Sequence, residues 1–522
     1  MRAMVVSRKV AACLLPGLVF CALGGTALAD TSALWGEGGG KWSAESRLPD
    51  FSFAGYRSGE APIPTPSVKG NVRDFGAKGD GVTDDTAAFV RALETVNNGA
   101  VLIPAGRYKI TEILYIRKGG VVLRGEGPDK TTLLFPRGME EIKPNTGATT
   151  GGRPTSNYSW SGGLIWVEGK PTGANLGNVK SRASRGTYIL EMEAPASVRA
   201  GQKIEILQED DRGKSLLEHL YAGQTGDTSK ITRTRTSFVS RVVSVDGAQL
   251  RLERPLRTDI DPRWKARVRI FQPSVTEVGI ENLTFEFPNT PYGGHFTEVG
   301  FNPFTFLNAA DCWARNLRMV NADSGPFIKG NFITVEKVIY ESARTPDKSG
   351  NQGHHGFTLG DDTLFQDFDI RLRFVHDISV ENGSSGSVAA RGRGVDLCFD
   401  NNKRFPHSNL FTDINIGAGT RMYRSGGGDA LGLHSAAWTT FWNIRADRPQ
   451  KWPGSNYGPD RMNLVGVESM EAPVLDKDKR WFEPIPPARL QPQNLFEAQR
   501  NRRLKRNVTS ITKVTAPTKR KS

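Results

Sequence analysis

The chain has 522 residues, 24% of them charged, and a formal net charge of +14. That charge is unevenly placed: residues 1–29 carry three Lys or Arg, residues 500–522 carry nine, neither segment has an acid, and +2 is left for residues 30–499. A uniformly cationic body is therefore excluded, and with no stacking module or recognition helix legible, nucleic acid is not an expected partner.

From the start of the chain, Arg2, Arg8 and Lys9 precede the apolar run ACLLPGLVFCAL and then Ala27-Leu28-Ala29. A basic start, a short apolar core and small residues at the cut form an export signal over residues 1–29. The run is too short to cross a bilayer as a helix, and Phe20 before Cys21 does not suit lipoprotein processing. The expectation is a secreted or periplasmic protein with no membrane span. Cys312 and Cys398 remain after the cut, either as a disulfide or as two buried thiols. Residues 30–68, rich in Gly, Ser and Pro, read as an extended lead-in. Next comes NVRDFGAKGDGVTDDTAAFVRALETV, residues 71–96. A strand ends in glycine turns, Thr83, Asp84 and Asp85 stand at a helix start, and Phe89, Ala92, Leu93 and Val96 form an amphipathic stripe. VLIPAGRYKI and VVLRGEG follow as strands.

The stretch DFGAKGDGVTDDTAAFVRAL, followed by VLIPAGRYKI, resembles the N-terminal signature of the pectate-lyase-like superfamily. That superfamily of right-handed parallel β-helices includes polygalacturonases, rhamnogalacturonases, lyases and phage tailspike enzymes. The resemblance implies an all-β, right-handed parallel β-helix whose open end is covered by the signature's helix. It implies turn and cap roles for Asp80, Asp84 and Asp85. It does not specify a reaction.

The remaining chain supports a coil independently. VGIENLTF, CWARNLRM, ITVEKVIY, LFQDFDI, FVHDISV, LFTDINI and TFWNIRA share one pattern of apolar residues interleaved with a polar one. Leu283, Leu317, Val338, Phe368, Ile414 and Ile444 recur at spacings of 34, 21, 30, 46 and 30, one rung each or two for the longest. Ile378 falls only ten after Phe368, so the motif marks strands and not the start of each rung. Amphipathic helices between strands are missing, which excludes a doubly wound sheet. The coil is expected over 69–475, with insertions at about 137–163 and 187–256. The second insertion carries a hairpin turned by Asp246-Gly247. A C-terminal extension over 476–499 precedes a basic, disordered tail at 500–522. That tail reads first as a solvated end, and second as a weak contact to an anionic surface or glycan.

Stacked rungs about 4.8 Å apart form a long trough that suits a chain-like ligand such as a polysaccharide. Candidate groups gather between residues 295 and 434. They are His295 in YGGHFTEVGFN, Asp323 in VNADSG, and His354-His355 with Asp361-Asp362 in NQGHHGFTLGDD. Arg391, Arg393, Asp396 and Asp400 follow in ARGRGVDLCFDNNKR, then Arg421 and Arg424 in GTRMYRSGGG and His434 in LGLHSAAWTTFWN. Catalytic roles fall on His354, His355, Asp361, Asp362, Asp396, Asp400 and Arg393. Substrate contacts fall on His295, Asp323, Arg391, Arg421, Arg424 and His434.

Two mechanisms fit this mixture. Elimination from a uronate chain needs a base for the proton beside the carboxyl group and a cation to hold that carboxylate. His354, His355 or His434 would be the base, and Arg391, Arg393 or Arg421 the clamp. Hydrolysis instead needs two carboxylates in different protonation states, which Asp323, Asp361, Asp362, Asp396 and Asp400 would supply. Polygalacturonases carry a pattern resembling Asn-x-Asp, Asp-Asp, Gly-His-Gly and Arg-x-Lys on consecutive rungs. Asn321-Ala322-Asp323 and Asp361-Asp362 are similar to the first two elements. However, GHHG precedes the paired aspartates, Gly432-Leu433-His434 follows them, and Arg391-Gly392-Arg393 is the nearest match to the last element. The order departs from that pattern, so elimination of an acidic glycan is the first choice and hydrolysis the second. A non-catalytic glycan-binding or exopolysaccharide-assembly protein is the third, favoured if the polar groups prove scattered around the coil.

Neighbours on an extended strand point to opposite faces, so His354 and His355 are not expected to face one ion, and no metal site is read here. His355 is the preferred groove residue. Calcium in place of the arginine clamp has no recognisable binding loop behind it, and no cofactor is expected. His376 and His407 read as edge residues, and Asp311, Asp367, Asp377 and Asp413 as structural.

Overall fold

The computed structural model describes residues 29–515 apart from 151, 196, 230, 233 and 428–432. The export-signal segment 1–28, residues 516–522 and Gly432 of the candidate Gly-Leu-His element lie outside the described residues.

Short strands in parallel register dominate the molecule, in one sheet of 16 strands and a second of seven. In the long sheet Gly279–Glu286, Trp313–Val320, Thr334–Glu341, Leu364–Ile370, Val388–Gly394, Leu410–Asn415 and Thr440–Arg445 stack rung on rung. Leu283, Leu317, Val338, Phe368, Gly392, Ile414 and Ile444 form one column of that stack. The 46-residue gap is therefore two rungs, with Gly392 between them. A Cβ at Gly392 would overlap the Phe368 ring, which fills the space from the rung before. FVHDISV belongs to the second sheet, which explains its ten-residue offset. The architecture is a right-handed parallel β-helix.

The polar residue of each motif has a physical reason. Asn282, Asn316, Lys337, Asp367, Arg391, Asp413 and Asn443 all stand at φ between 48° and 61°, each directly before the buried column. This left-handed corner turns every rung from one face of the coil to the next, and Asn and Asp tolerate it best. Neighbouring corners bond to each other: Asn316 Nδ2 donates to Asn282 Oδ1 at 2.8 Å, and Arg391 Nε to Asp367 Oδ1 at 2.7 Å. Inside, apolar residues stack along the axis, as in Phe357 on Phe365 with centroids 3.9 Å apart and Phe365 on Phe368 at 4.3 Å.

The helix Thr86–Thr95 closes the N-terminal end with Phe89, Ala92, Leu93 and Val96 buried in the coil's core. Asp80 accepts the backbone N–H groups of Val82 and Thr83, and Asp84 accepts that of Thr86. Asp85 accepts those of Lys78 and Gly79. The signature's acids thus serve turns and caps.

Three expectations need correction. The insertion is an antiparallel sheet running from Asn175 to Ile270, wider than 187–256, because the flanking strands Asn175–Asn178 and Arg267–Ile270 pair with each other and with the hairpin sheet. The lead-in 30–68 is not merely extended: Leu34, Trp35, Leu48, Phe51 and Ala54 pack in one apolar cluster with Leu495 and Phe496. The basic C-terminus is not disordered from residue 500, since one helix spans Leu495–Thr515. Arg503 ties it to the lead-in, reaching Glu60 Oε1 at 2.8 Å and the Ser52 carbonyl at 2.9 Å. Cys312 and Cys398 are both buried and free. Among the described residues no helix is long and apolar enough to cross a membrane.

Candidate functional site

The second sheet carries the site. Its strands Phe327–Asn331, Gly353–Leu359, Phe374–Val380 and Phe399–Asn401 lie side by side. Register places His355 beside His376, and Ser379 beside Asp400. Each pair is separated by one 21-residue rung, so residues distant in sequence become neighbours in space.

The glycines of GHHG follow from this stacking. A Cβ at Gly353 would stand 2.6 Å from the Phe374 ring, and one at Gly356 would overlap the Asp377 carbonyl. The backbone between them is pressed against its neighbours, and Gly325 N–H donates to the His355 carbonyl. Both imidazoles then fall into one cluster: the His354 and His355 ring centroids are 4.2 Å apart. His376 lies 5.0 Å from His355 and 5.5 Å from His354, and His295 lies 4.4 Å from His354. The expectation that only one member of the pair could face the site is overturned: the structure places both rings in the cluster.

Hydrogen bonds define a relay. Ser379 Oγ donates to Asp400 Oδ2 at 2.8 Å and lies 3.1 Å from His355 Nδ1. A hydroxyl has one proton, and here the carboxylate takes it, so Ser379 meets His355 as an acceptor. The His355 proton is thereby fixed on Nδ1, and Nε2 keeps its lone pair. Asp400 is held in turn by the Gly426 N–H at 2.6 Å and Ser425 Oγ at 3.1 Å. Burial pushes the pKa values of His354, His355 and His376 well below the usual imidazole range, and a neighbouring imidazole adds to the effect for each, His295 in the case of His354. All three are neutral bases at neutral pH.

Glu298 is the buried acid that sequence reasoning passed over, although it stands three residues after His295. Its carboxylate accepts Tyr292 Oη, and its Oε2 lies 3.5 Å from His354 Nδ1. Burial raises its pKa. Asp323 holds the loop that carries His295 and Glu298: its Oδ2 accepts the N–H groups of Val299, Gly300 and Phe301, and Arg344 Nη1 pairs with Oδ1 at 2.8 Å. It is buried and positions the site from beneath, a correction to its reading as a ligand contact.

Arg424 is exposed, and its field acts on His295, His376 and Asp347. Among the described residues its guanidinium forms no hydrogen bond or ion pair. Arg421, by contrast, is a buried strut bonded to Asp377 Oδ2 at 2.5 Å and to the Asp396 carbonyl at 2.8 Å.

The other candidates lie elsewhere. Asp396 closes a turn by accepting Thr420 N–H and Oγ. Arg391 and Arg393 sit on the long sheet, paired with Asp367 and Asp369. His434 is fully buried against the Thr225 carbonyl in the insertion. Asp362 anchors that insertion through Arg254 and Arg257 at 2.7 and 2.5 Å. Asp361 lines a separate cleft of about 820 Å³ between insertion and coil, together with Glu381, Lys329, Arg404 and Arg269. Burial and the neighbouring Asp362 push Asp361 up to about 7. His376, Glu298, Ser379 and Ser425 are the cluster members that sequence reasoning missed. The 21-residue rung spacing was the signal that could have paired His376 with His355.

The family-model match reaches only the first rungs. Residues 70–161 match the family model described as Rhamnogalacturonase A/epimerase, pectate lyase-like. The mannuronan C5-epimerase AlgE5 of Azotobacter vinelandii is 33% identical over 100 residues, 17% of this chain and 10% of its own length. Alginate lyase 7 of the same organism is 33% identical over 100 residues, 17% of this chain and 12% of its own. The chain thus spans about a tenth of the length of these curated relatives. Among solved structures, the tailspike protein gp49 of Pseudomonas phage LKA1 covers 72% of this chain and 64% of its own, at 13% identity and a TM-score of 0.40. The pectate-lyase-like resemblance of the opening residues is therefore supported by a family model over the same stretch, and the parallel coil agrees with it. The matched family segment ends before every member of the imidazole cluster.

Proposed function

We propose that this coil acts on an acidic polysaccharide and abstracts the proton beside a uronate carboxyl group, with His355 as the base. The observation that carries the reading is the chain Asp400–Ser379–His355, which fixes one tautomer and leaves Nε2 free to accept a proton. Burial keeps that ring neutral, so no competing protonation removes the base at neutral pH. Arg424 supplies the cation: an exposed guanidinium suits a bidentate grip on the sugar carboxylate as negative charge builds there. In β-elimination the proton at C5 passes to Nε2, and its electron pair forms the C4–C5 double bond. The bond from C4 to the glycosidic oxygen breaks, and that oxygen leaves with a proton drawn from solvent. The relatives named for alginate lysis and C5 epimerisation lend support, since both reactions begin with removal of that proton.

Glycoside hydrolysis is the second reading, favoured by one observation. Asp361, pushed up to about 7, and Glu381 both line the cleft of about 820 Å³, which has room for sugar residues. Incubating the protein with uronate and neutral glycans separates the two. Elimination creates an unsaturated, ultraviolet-absorbing product, whereas new reducing ends without that absorbance would replace the first reading by the second. Silence on both across the panel, with glycan still retained, would favour the binding protein.

A further inference from the structure

We propose that His295, His354 and His376 form a site for a first-row divalent transition-metal ion, of which Zn²⁺ is the natural probe. The inference goes beyond the reading of His355 as a base and stands on separate atoms. One nitrogen of each of these three rings lies within 4.8 Å of the others, although the residues come from three separate segments of chain.

Two orphaned atoms point the same way. His354 Nδ1 and His376 Nδ1 are buried and have no hydrogen-bond partner among the described residues. A neutral imidazole carries one proton on two nitrogens, so each of these rings has a lone pair to offer. Glu298 Oε2 stands 3.5 Å from His354 Nδ1, also buried and without a hydrogen-bond partner among the described residues. Asp400 Oδ2 faces His376 Nδ1 at the same distance. A buried polar atom left unpaired is costly, and each one needs a reason. A cation supplies one.

The donor set fits a borderline-soft ion. Zn²⁺ takes neutral imidazole at about 2.0–2.1 Å, which in a tetrahedron sets nitrogens roughly 3.4 Å apart. His295 is exposed and can close the remaining distance, while the two buried rings are held by the coil. Calcium is a poor match, because it prefers an all-oxygen shell. Charge also favours occupancy: Glu298 and Asp400 lie against the rings, Asp347 acts on His295, and Arg424 is the opposing cation. Glu298 and Asp400 stand where carboxylates commonly orient metal-bound histidines.

The test is a titration of chelator-treated, full-length protein with ZnCl₂ alone, followed by calorimetry. Co²⁺ absorption provides a second readout, since visible d–d bands report nitrogen ligation in a tetrahedral field. One equivalent should bind, His295→Ala should abolish binding without unfolding the chain, and Glu298→Gln should weaken it about 10–100-fold. Two results would overturn the proposal: a folded wild-type protein that takes up no ion, or uptake that His295→Ala and His376→Ala leave unchanged. His295 is a surface residue, so its variant keeps the question open to decision even if the buried substitutions fail to fold.

Discussion

His355 and His376 occupy the same register position on adjacent rungs, with ring centroids 5.0 Å apart. Neither position is special in the linear chain. Their proximity follows from one turn of the coil, and the same turn sets Ser379 beside Asp400. The base and the group that fixes its tautomer are therefore supplied by three successive rungs.

Removing the base should cost the most. His355→Ala is expected to lower kcat by about 10²–10⁴-fold, the usual worth of a positioned general base. Ser379→Ala should produce a smaller fall, on the order of tenfold, with KM little changed, because it frees the tautomer without deleting the ring. Steady-state kinetics on the best glycan of the panel decide the matter. An active His355→Ala enzyme would sink the assignment.

Arg424 should behave as a binding residue. Arg424→Ala is expected to raise KM for acidic glycans and leave retention of neutral ones unaltered, and Arg424→Lys should restore part of the loss. Equal losses on neutral and acidic chains would deny it the role of carboxylate clamp.

Asp362 is predicted to hold the inserted sheet to the coil. Asp362→Ala leaves Arg254 and Arg257 buried without their shared carboxylate, both being almost wholly excluded from solvent. Breaking a buried ion pair from one side costs about 3–5 kcal/mol. Denaturant unfolding should register that loss, and a change below 1 kcal/mol would place the pair among ornamental contacts.

Asp361 should make stability depend on pH in a definite direction. Its pKa rises from an ordinary 3.8 to about 7 in the folded chain, mainly through burial. The folded state therefore keeps a proton that the unfolded chain gives up. This contribution is fully present below about pH 4, declines as pH rises, and is gone above about pH 7. Asp361→Asn should flatten that slope in melting temperatures measured across the range. A slope unchanged by the substitution would assign it to other groups.

A methyl group in the wrong place should be felt along the whole column. Gly392→Ala drives a Cβ into the Phe368 ring on the preceding rung. Overpacking of this kind costs about 1–3 kcal/mol, and a pairing with Phe368→Leu should recover part of it. A neutral Gly392→Ala would mean that the rungs can slide apart.

The sequence by itself determined the coil. The spacing of Leu283, Leu317, Val338, Phe368, Ile414 and Ile444, and the glycine-and-aspartate signature before the cap helix, are local patterns. A parallel stack reads one such column per rung, and the pattern survives loops of any length. Sequence could not decide which polar residues share a face. Arg391 and Arg393 looked like clamps beside Asp400, yet they lie on the long sheet in corner and surface ion pairs. His376 and Glu298 looked incidental, yet they stand against the central imidazoles. Loop lengths decide where each rung begins, and a shift of one residue carries a side chain to another wall of the coil. Only the folded register, with the glycines of GHHG allowing its backbone to approach the neighbouring rung closely, brings four histidines together.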